Sequence, residues 1–128
     1  MIERFGSGGP YEALVGYSRT VRAGGFVFVS GCTATSTDGV VLGPGDPRVK
    51  AREALDACER ALALAGATLA DVVRTRIYVV DITQWEVVGR AHAERFGDVR
   101  PATTMVGVSS LLDPRLLVEI DADAYLPR

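Results

Sequence analysis

The fold is decided by residues 116–125, which read LLVEIDADAY. The even-numbered positions of this stretch are apolar from Leu116 to Ala124, while Glu119, Asp121 and Asp123 stand at odd-numbered positions. Successive side chains of a β-strand point to opposite faces of a sheet, so this alternation predicts a strand with one buried and one polar face. The buried face needs a covering layer, and two segments upstream can form it.

The first covering segment is a predicted helix that begins at Asp46–Pro47 and ends at Gly66. Aspartate is a favoured capping residue, proline fits the first helical position, and glycine fits the end of a helix. Apolar side chains recur at spacings of three and four residues and form one stripe: Ala51, Leu55, Cys58, Leu62 and Ala65. This stripe is the surface that the helix would place on a sheet.

The second covering segment is a predicted helix that runs to about Phe96 and is closed by Gly97. Residues 83–86 read TQWE, which we interpret as a capping box with Ile82 and Val87 as its hydrophobic staple. Two helices can cover only one face of a sheet, so the other face stays open.

The remaining strands are predicted at residues 17–23, 26–30, 72–80 and 103–109, with a short one at 2–5. Gly24-Gly25 separates two of them by the spacing of a two-residue hairpin. Residues 6–10, GSGGP, are expected to form a loop, since we identify no helix-forming segment after them. The order of elements predicts an α+β fold of two layers, a single domain over residues 1–128 whose mixed sheet is covered by two helices on one face.

The uncovered face of this sheet must meet water or another subunit. Tyr78 and Met105 are expected there as apolar side chains, beside Arg74, Arg76 and the acids of the last strand. Such a mixed surface suits an interface between copies of the chain, and a solvated face with cross-strand ion pairs is the alternative.

Composition excludes several classes of protein. The chain has 128 residues, of which 48% are apolar and 23% charged, so it is not a disordered, collagen-like or low-complexity protein. Its net charge of −2 offers no polycationic surface for nucleic acid or an anionic membrane. No secretory signal is visible at the start, and the richest apolar window, residues 61–67, is too short to span a membrane. We therefore expect a cytoplasmic protein without nucleic-acid or membrane partners.

Three side chains that could be reactive have plain structural alternatives. Cys32 and Cys58 form no CxxC pair, and His92 cannot complete a metal site with them, so no metal is expected. We interpret Cys32 as a packed small residue rather than a nucleophile, because no base or positive field is evident beside it. Cys58 belongs to the helical stripe and His92 follows a helical spacing, which favours packing for both.

The carboxylates of the last strand are the strongest candidates for chemistry. Glu119, Asp121 and Asp123 share one face, where a general base could be assembled, although an exposed or ion-paired face is the default interpretation. Glu119 stands out because it lies nearest the preceding turn. The sequence contains no hydrolase elbow, nucleotide-binding loop or dinucleotide motif. Spacing alone therefore predicts an α+β domain with a candidate acidic pocket.

Segments along nearly the whole chain together resemble one known family. In chain order they are residues 16–18 (GYS), 28–31 (FVSG), 51–55 (AREAL), 72–81 (VVRTRIYVVD), 100–102 (RPA) and 118–122 (VEIDA). Each segment is weak alone, but the ordered set is similar to the Rid (YjgF) family of reactive-intermediate deaminases, also called endoribonuclease L-PSP.

This resemblance implies a chorismate-mutase-like (YjgF-like) fold and a homotrimer with ligand clefts between its subunits. The best-known members hydrolyse small imines and enamines to a keto acid and ammonia, and they use no metal or other cofactor. Some members have been linked to RNA cleavage, to which the net charge of −2 gives little support here.

The family's site residues are matched in part. By resemblance, Tyr17 is a pocket tyrosine, and Glu119 is the glutamate that positions the attacking water. Ser30 and Gly31 match a strand end that lines the pocket, with Cys32 at the neighbouring position. Glu119 is therefore the predicted catalytic residue, and the others are predicted substrate contacts.

The departure from the family is at Thr103. Deaminating members read Pro-Ala-Arg, where the arginine grips the substrate carboxylate, whereas residues 101–104 of this chain read PATT. Losing such a charged hydrogen-bond partner costs about 1.5–3 kcal/mol. A pocket asparagine is also replaced, by Gly89, and we interpret Arg100 as a surface or interface residue rather than a substitute clamp.

We therefore expect a hydrolase of the imine/enamine deaminase class. Its substrate would be a small imine, enamine or carbonyl metabolite other than a standard 2-imino acid, held partly by the hydroxyls of Thr103 and Thr104. The alternative is a non-catalytic trimer of the same fold that binds or senses a metabolite.

Overall fold

The computed structural model describes residues 1–43 and 45–127. Its strands are β1 (Ile2–Phe5), β2 (Thr20–Ala23), β3 (Phe26–Cys32), β4 (Val72–Val79), β5 (Ala102–Gly107) and β6 (Val118–Tyr125). They form one sheet of six strands in the order β1-β2-β3-β6-β4-β5. The pair β4–β5 is parallel and the other neighbouring pairs are antiparallel, so the sheet is mixed, as predicted.

The helices are α1 (Pro10–Val15), α2 (Pro47–Leu64) and α3 (Trp85–Phe96). As predicted, Asp46 caps α2: its side chain accepts hydrogen bonds from the backbone N–H groups of Arg48 and Val49, at 2.8 and 3.3 Å. The stripe of α2 is buried against β3 and β6, and α3 packs beside α2. Within the described part of the chain, no helix is both long and apolar enough to cross a membrane.

The alternation along β6 is confirmed. Val118, Ile120, Ala122 and Ala124 are each at most 1% exposed and face the helices, while the three acids between them are partly exposed on the open face. Burial of these apolar side chains under α2 joins the two layers, since removal of apolar surface from water drives their packing.

The expectation that no helix follows residues 6–10 is wrong. Helix α1 starts at Pro10, and Glu12 in its first turn accepts a hydrogen bond from the Ser7 backbone N–H at 3.1 Å. The helix ends at Gly16, whose φ of 89° suits glycine. Tyr17 therefore lies in the connection to β2, which begins at Thr20 rather than at Tyr17.

The predicted capping box of α3 is also wrong. Gln84 stands at the N-cap without a side-chain hydrogen bond, because a turn of 3-10 helix, Ile82–Gln84, precedes α3. Asp81 caps that turn instead, and its side chain accepts a hydrogen bond from the Thr83 N–H at 3.1 Å. Aspartate is a stronger capping residue than threonine, so the start of the helical region moves two residues upstream.

The open face carries Tyr78 and Arg76, as predicted, but not Met105. In the parallel pair, Met105 stands in register with Ile77, which is buried under the helices, and parallel neighbours in register point to the same face. Met105 accordingly packs against the core, near Gly89 of α3.

Candidate functional site

A cavity of about 710 Å³ opens where β3 ends. Helix α1, residues 33–41, the second half of α2, residues 112–116 and the start of β6 enclose it. The predicted site residues that line it are Tyr17, Ser30, Gly31, Cys32 and Glu119. The fold therefore brings together, within one chain, the predicted residues that come from β3, β6 and the connection after α1.

The shape of the cavity wall comes from a bulge in β3. Val29 pairs with Ala122 of β6, but the next pair joins Cys32 to Ile120, so β3 carries one extra residue between these pairs. A bulge interrupts the ladder and turns carbonyl groups away from the neighbouring strand. Here the carbonyls of Ser30 and Gly31 instead accept hydrogen bonds from Nη1 of Arg19, at 3.1 and 2.8 Å.

The Glu119 side chain lies directly against Gly31, in the space that a side chain at residue 31 would fill. A Cβ atom at residue 31 would lie 2.8 Å from Cδ and 3.2 Å from Cγ of Glu119, and closer still to a carboxylate oxygen. Any larger side chain must therefore displace the carboxylate. The absence of a side chain at residue 31 therefore determines where the Glu119 carboxylate lies in the cavity wall.

Glu119 differs from the other acids of β6 in its surroundings. Asp121 and Asp123 are ion-paired with Arg76 at 2.9 and 3.3 Å, and Asp121 also accepts a hydrogen bond from the Tyr78 hydroxyl at 2.9 Å. In the described part of the chain, no side-chain or backbone donor hydrogen-bonds the Glu119 carboxylate. The default interpretation of an ion-paired strand face thus holds for two of the three acids.

Burial raises the pKa of Glu119. The positive charge of Arg19 opposes this shift, and the negative charge of Asp121 adds to it. A carboxyl group with a raised pKa and free lone pairs is suited to take a proton from water and return it to a leaving group. Glu119 therefore has the properties of a general acid–base residue, and it lies at the cavity wall.

Arg19 lines the cavity and was not among the residues predicted from the sequence. Besides the two carbonyls, its guanidinium donates to the Tyr17 hydroxyl at 3.2 Å and to the Cys32 sulfur at 3.4 Å. It also lies 5.4 Å from the centre of the Tyr17 ring. Arg19 thus joins two parts of the cavity wall, the end of β3 and the connection that carries Tyr17. The expectation that Cys32 has no positive field beside it is wrong for this reason.

Thr103 and Thr104 do not line this cavity, since both lie on β5 at the far edge of the sheet. The Thr103 hydroxyl donates to the Pro101 carbonyl at 3.0 Å and lies 2.8 Å from the hydroxyl of Thr75. The Thr75 hydroxyl in turn lies 2.9 Å from Nε2 of His92. A site that joins Thr103 to Glu119 therefore requires a second copy of the chain.

His92 and Arg100 also lie away from the cavity. The His92 ring packs on Phe96 at 4.6 Å, and burial lowers its pKa. Arg100 is exposed, with φ of 55°, and its Nε donates to the Gly97 carbonyl at 3.1 Å. The residues that the structure describes hold no group of three or more His, Cys, Asp or Glu side chains suited to a metal ion.

Comparison with known proteins identifies relatives along the whole chain. The family model described as Endoribonuclease L-PSP matches residues 10–126. An uncharacterized protein of Streptomyces coelicolor is 38% identical over 124 residues, which are 97% of this chain and 92% of that protein. A RutC family protein of Pyrococcus horikoshii is 33% identical over 110 residues, or 85% of this chain and 86% of that protein.

A solved structure agrees with the fold as well. The crystal structure of a member of the YjgF/YER057c/UK114 family from Mycobacterium tuberculosis has a TM-score of 0.89 and 51% sequence identity to this chain. The match covers 98% of this chain and 100% of that one. The two-layer α+β architecture with a mixed sheet is therefore the architecture of these relatives.

Proposed function

Because the chain belongs to the Endoribonuclease L-PSP family, the YjgF/Rid family, we propose that it is a small-molecule hydrolase acting on the C=N bond of imines or enamines. One observation carries the proposal: Glu119 is a partly buried carboxylate, free of hydrogen bonds from the described residues, at the wall of a cavity of about 710 Å³. The proposed reaction needs only water and this acid–base group, so it uses no metal or other cofactor.

In the proposed reaction, Glu119 takes a proton from a water molecule as the water oxygen bonds to the imine carbon. The C=N double bond becomes a single bond, its electron pair goes to nitrogen, and Glu119 passes the water proton on to that nitrogen. The resulting carbinolamine forms the carbonyl group as Glu119 takes the proton of its hydroxyl, its C–N bond breaks and ammonia leaves. Glu119 returns its proton to the departing nitrogen, a transfer for which a raised pKa is suited.

We propose that the substrate is not a standard 2-imino acid. A guanidinium would bind a carboxylate with two charged hydrogen bonds, whereas Thr103 has one hydroxyl, already used by the Pro101 carbonyl and Thr75. The charged side chains that line the cavity are three acids and two bases: Glu12, Asp113, Glu119, Arg19 and Arg60. This lining has no excess of positive charge, which disfavours RNA or another phosphodiester.

We further propose that the protein is a cytoplasmic homotrimer with the site between subunits. The open sheet face carries an exposed aromatic cluster, in which Phe26 lies 6.2 Å from Phe28 and 5.2 Å from Tyr125. Clustered exposed aromatic side chains are typical of interfaces. A neighbouring copy would also bring Thr103 and Thr104 of β5 to the cavity that Glu119 lines.

A second candidate function is favoured by the state of Thr103. The Thr103 hydroxyl is already hydrogen-bonded within the chain. Residue 103, where deaminating family members have the carboxylate-binding arginine, therefore offers a ligand little hydrogen bonding. A trimer that kept the cavity and lost the reaction would bind a metabolite without turnover. Saturable binding without ammonia release would support this candidate.

The proposal is tested with Glu119→Gln. The amide is nearly isosteric but cannot take a proton from water, so ammonia release from an imine generated in place should fall by at least about 100-fold. Glu86→Gln is the matched control, because Glu86 is exposed on α3 and pairs only with Arg90 among the described residues. It should keep wild-type activity. Activity of Glu119→Gln equal to that of the control would remove Glu119 from the mechanism.

A further inference from the structure

The only two cysteines of the chain lie on either side of Ile120, next to the cavity. Cys32 of β3 stands opposite Ile120 in the sheet, and the Cys58 thiol of α2 donates to the Ile120 carbonyl at 3.5 Å. Both side chains are free thiols, and both belong to the same buried core cluster. The fold thus pairs two cysteines that are 26 residues apart and belong to different layers.

The two thiols have unequal surroundings. Nη1 of Arg19 lies 3.4 Å from the Cys32 sulfur. The neutral Cys32 thiol donates to the Ser30 carbonyl at 3.3 Å, and that carbonyl also has Arg19 as a donor at 3.1 Å. Loss of the Cys32 proton therefore leaves no carbonyl without a partner. Cys58 has no comparable contact with a cation among the described residues.

The pKa directions agree with this geometry. The hydrogen bond from Cys58 lowers the pKa of Cys32, and Arg19 lowers it further, against the effects of burial and of Glu119. The pKa of Cys58 is raised well above the usual value, because its proton is held by Cys32 and because burial disfavours the thiolate. Cys32 is thus the more acidic thiol of the pair.

Of the two cysteines, only Cys32 can be approached from the cavity. Cys32 lines the cavity, whereas Cys58 is not among the described residues that do so. Cys32 borders this cavity of about 710 Å³ with only 2% of its surface exposed, so the opening to it is small. The cavity therefore selects small oxidants.

We propose that Cys32 and Cys58 are a redox-active pair, in which a hydroperoxide that enters the cavity oxidises Cys32 and Cys58 then closes a disulfide. A disulfide would join β3 to α2 and take the Cys32 sulfur out of its contact with Arg19.

Each step of the reaction is balanced. The Cys32 thiolate attacks one oxygen of the hydroperoxide, an S–O bond forms, and the O–O bond breaks to release hydroxide or alkoxide, which takes up a proton. Sulfur is oxidised to a sulfenic acid and the peroxide is reduced. The Cys58 sulfur then attacks the sulfenic sulfur as its proton joins the leaving hydroxyl, so that an S–S bond forms and water departs.

The test treats the purified protein with hydrogen peroxide and follows intact mass and free thiols after denaturation. Wild type should lose about 2 Da, as two hydrogens leave, and both thiols together. Cys58→Ser should stop at the sulfenic acid of Cys32, a gain of about 16 Da, which dimedone traps once the protein is unfolded in its presence. Cys32→Ser should not react, because Cys58 alone is buried and protonated. Arg19→Met should slow oxidation near neutral pH, and Arg19→Lys should restore it in part.

Several results would overturn the proposal. Two free thiols after peroxide treatment of wild type would show that the cysteines only pack the core. A sulfenic acid that persists in wild type would show that Cys58 does not reach Cys32. Cys58→Ala is the substitute if Cys58→Ser does not fold by circular dichroism. Oxidation at an equal rate in wild type and Arg19→Met would exclude Arg19 from the mechanism.

Discussion

Gly31→Ala should move the Glu119 carboxylate without unfolding the protein. The new Cβ would lie 2.8 Å from Cδ of Glu119, whereas carbon atoms in contact are about 3.5–4.0 Å apart. The end of the Glu119 side chain must therefore shift by about 0.7–1.2 Å. Misplacement of a catalytic group by about 1 Å can lower a rate about 100-fold, so we expect a loss of that order in imine hydrolysis.

The stability of Gly31→Ala should change little. The displaced atoms belong to the end of a flexible side chain, and Gly31 does not adopt the positive φ that only glycine tolerates well. The free energy of unfolding should therefore fall by less than the roughly 1–3 kcal/mol that overpacking costs in a rigid core. Urea unfolding at fixed protein concentration measures this.

The assay that follows the carboxylate itself is a pH titration of Glu119 by NMR. Burial raises the pKa of Glu119 in the wild type, and displacement toward water should bring it back toward the ordinary value. Gly45→Ala is the control, because a Cβ there meets no described atom within 4 Å and the backbone φ is not positive. An unchanged Glu119 titration and activity within about threefold of wild type would refute the reasoning.

Two further predictions concern the second subunit. The protein should scatter light as a trimer of the 13.6 kDa chain at micromolar concentration, because the open face carries Phe26, Phe28 and Tyr125; a stable monomer would contradict this. Thr103→Arg should raise hydrolysis of 2-imino acids about tenfold or more, since one charged hydrogen bond is worth about 1.5–3 kcal/mol. A folded trimeric Thr103→Arg without any gain would show that β5 does not meet the cavity of a neighbour.

Local periodicity is what made the main elements predictable. The alternation of β6 and the stripe of α2 each depend on residues close in sequence, and both are found as predicted. Helix α1 was not predictable in the same way. It is only six residues long and buries none of them, so its sequence carries no apolar period.

Only part of the candidate site could be predicted from the sequence. Glu119 could be singled out from its place on β6 and from the family resemblance. Arg19 could not, because its contacts arise from the one-residue bulge between Val29 and Cys32, which shifts the pairing of β3 with β6. Met105 was placed on the wrong face for a related reason, since its face depends on the register with Ile77.

The central claim is that the Glu119 cavity hydrolyses C=N bonds of substrates other than standard 2-imino acids. The most direct measurement compares how much the wild-type protein accelerates the hydrolysis of two imines. One is a neutral imine that an amine oxidase produces in the assay, and the other is a 2-imino acid that an amino acid oxidase produces. The account predicts that ammonia and carbonyl release from the neutral imine is accelerated at least about tenfold more. Acceleration of neither imine, or equal acceleration of both, would contradict it.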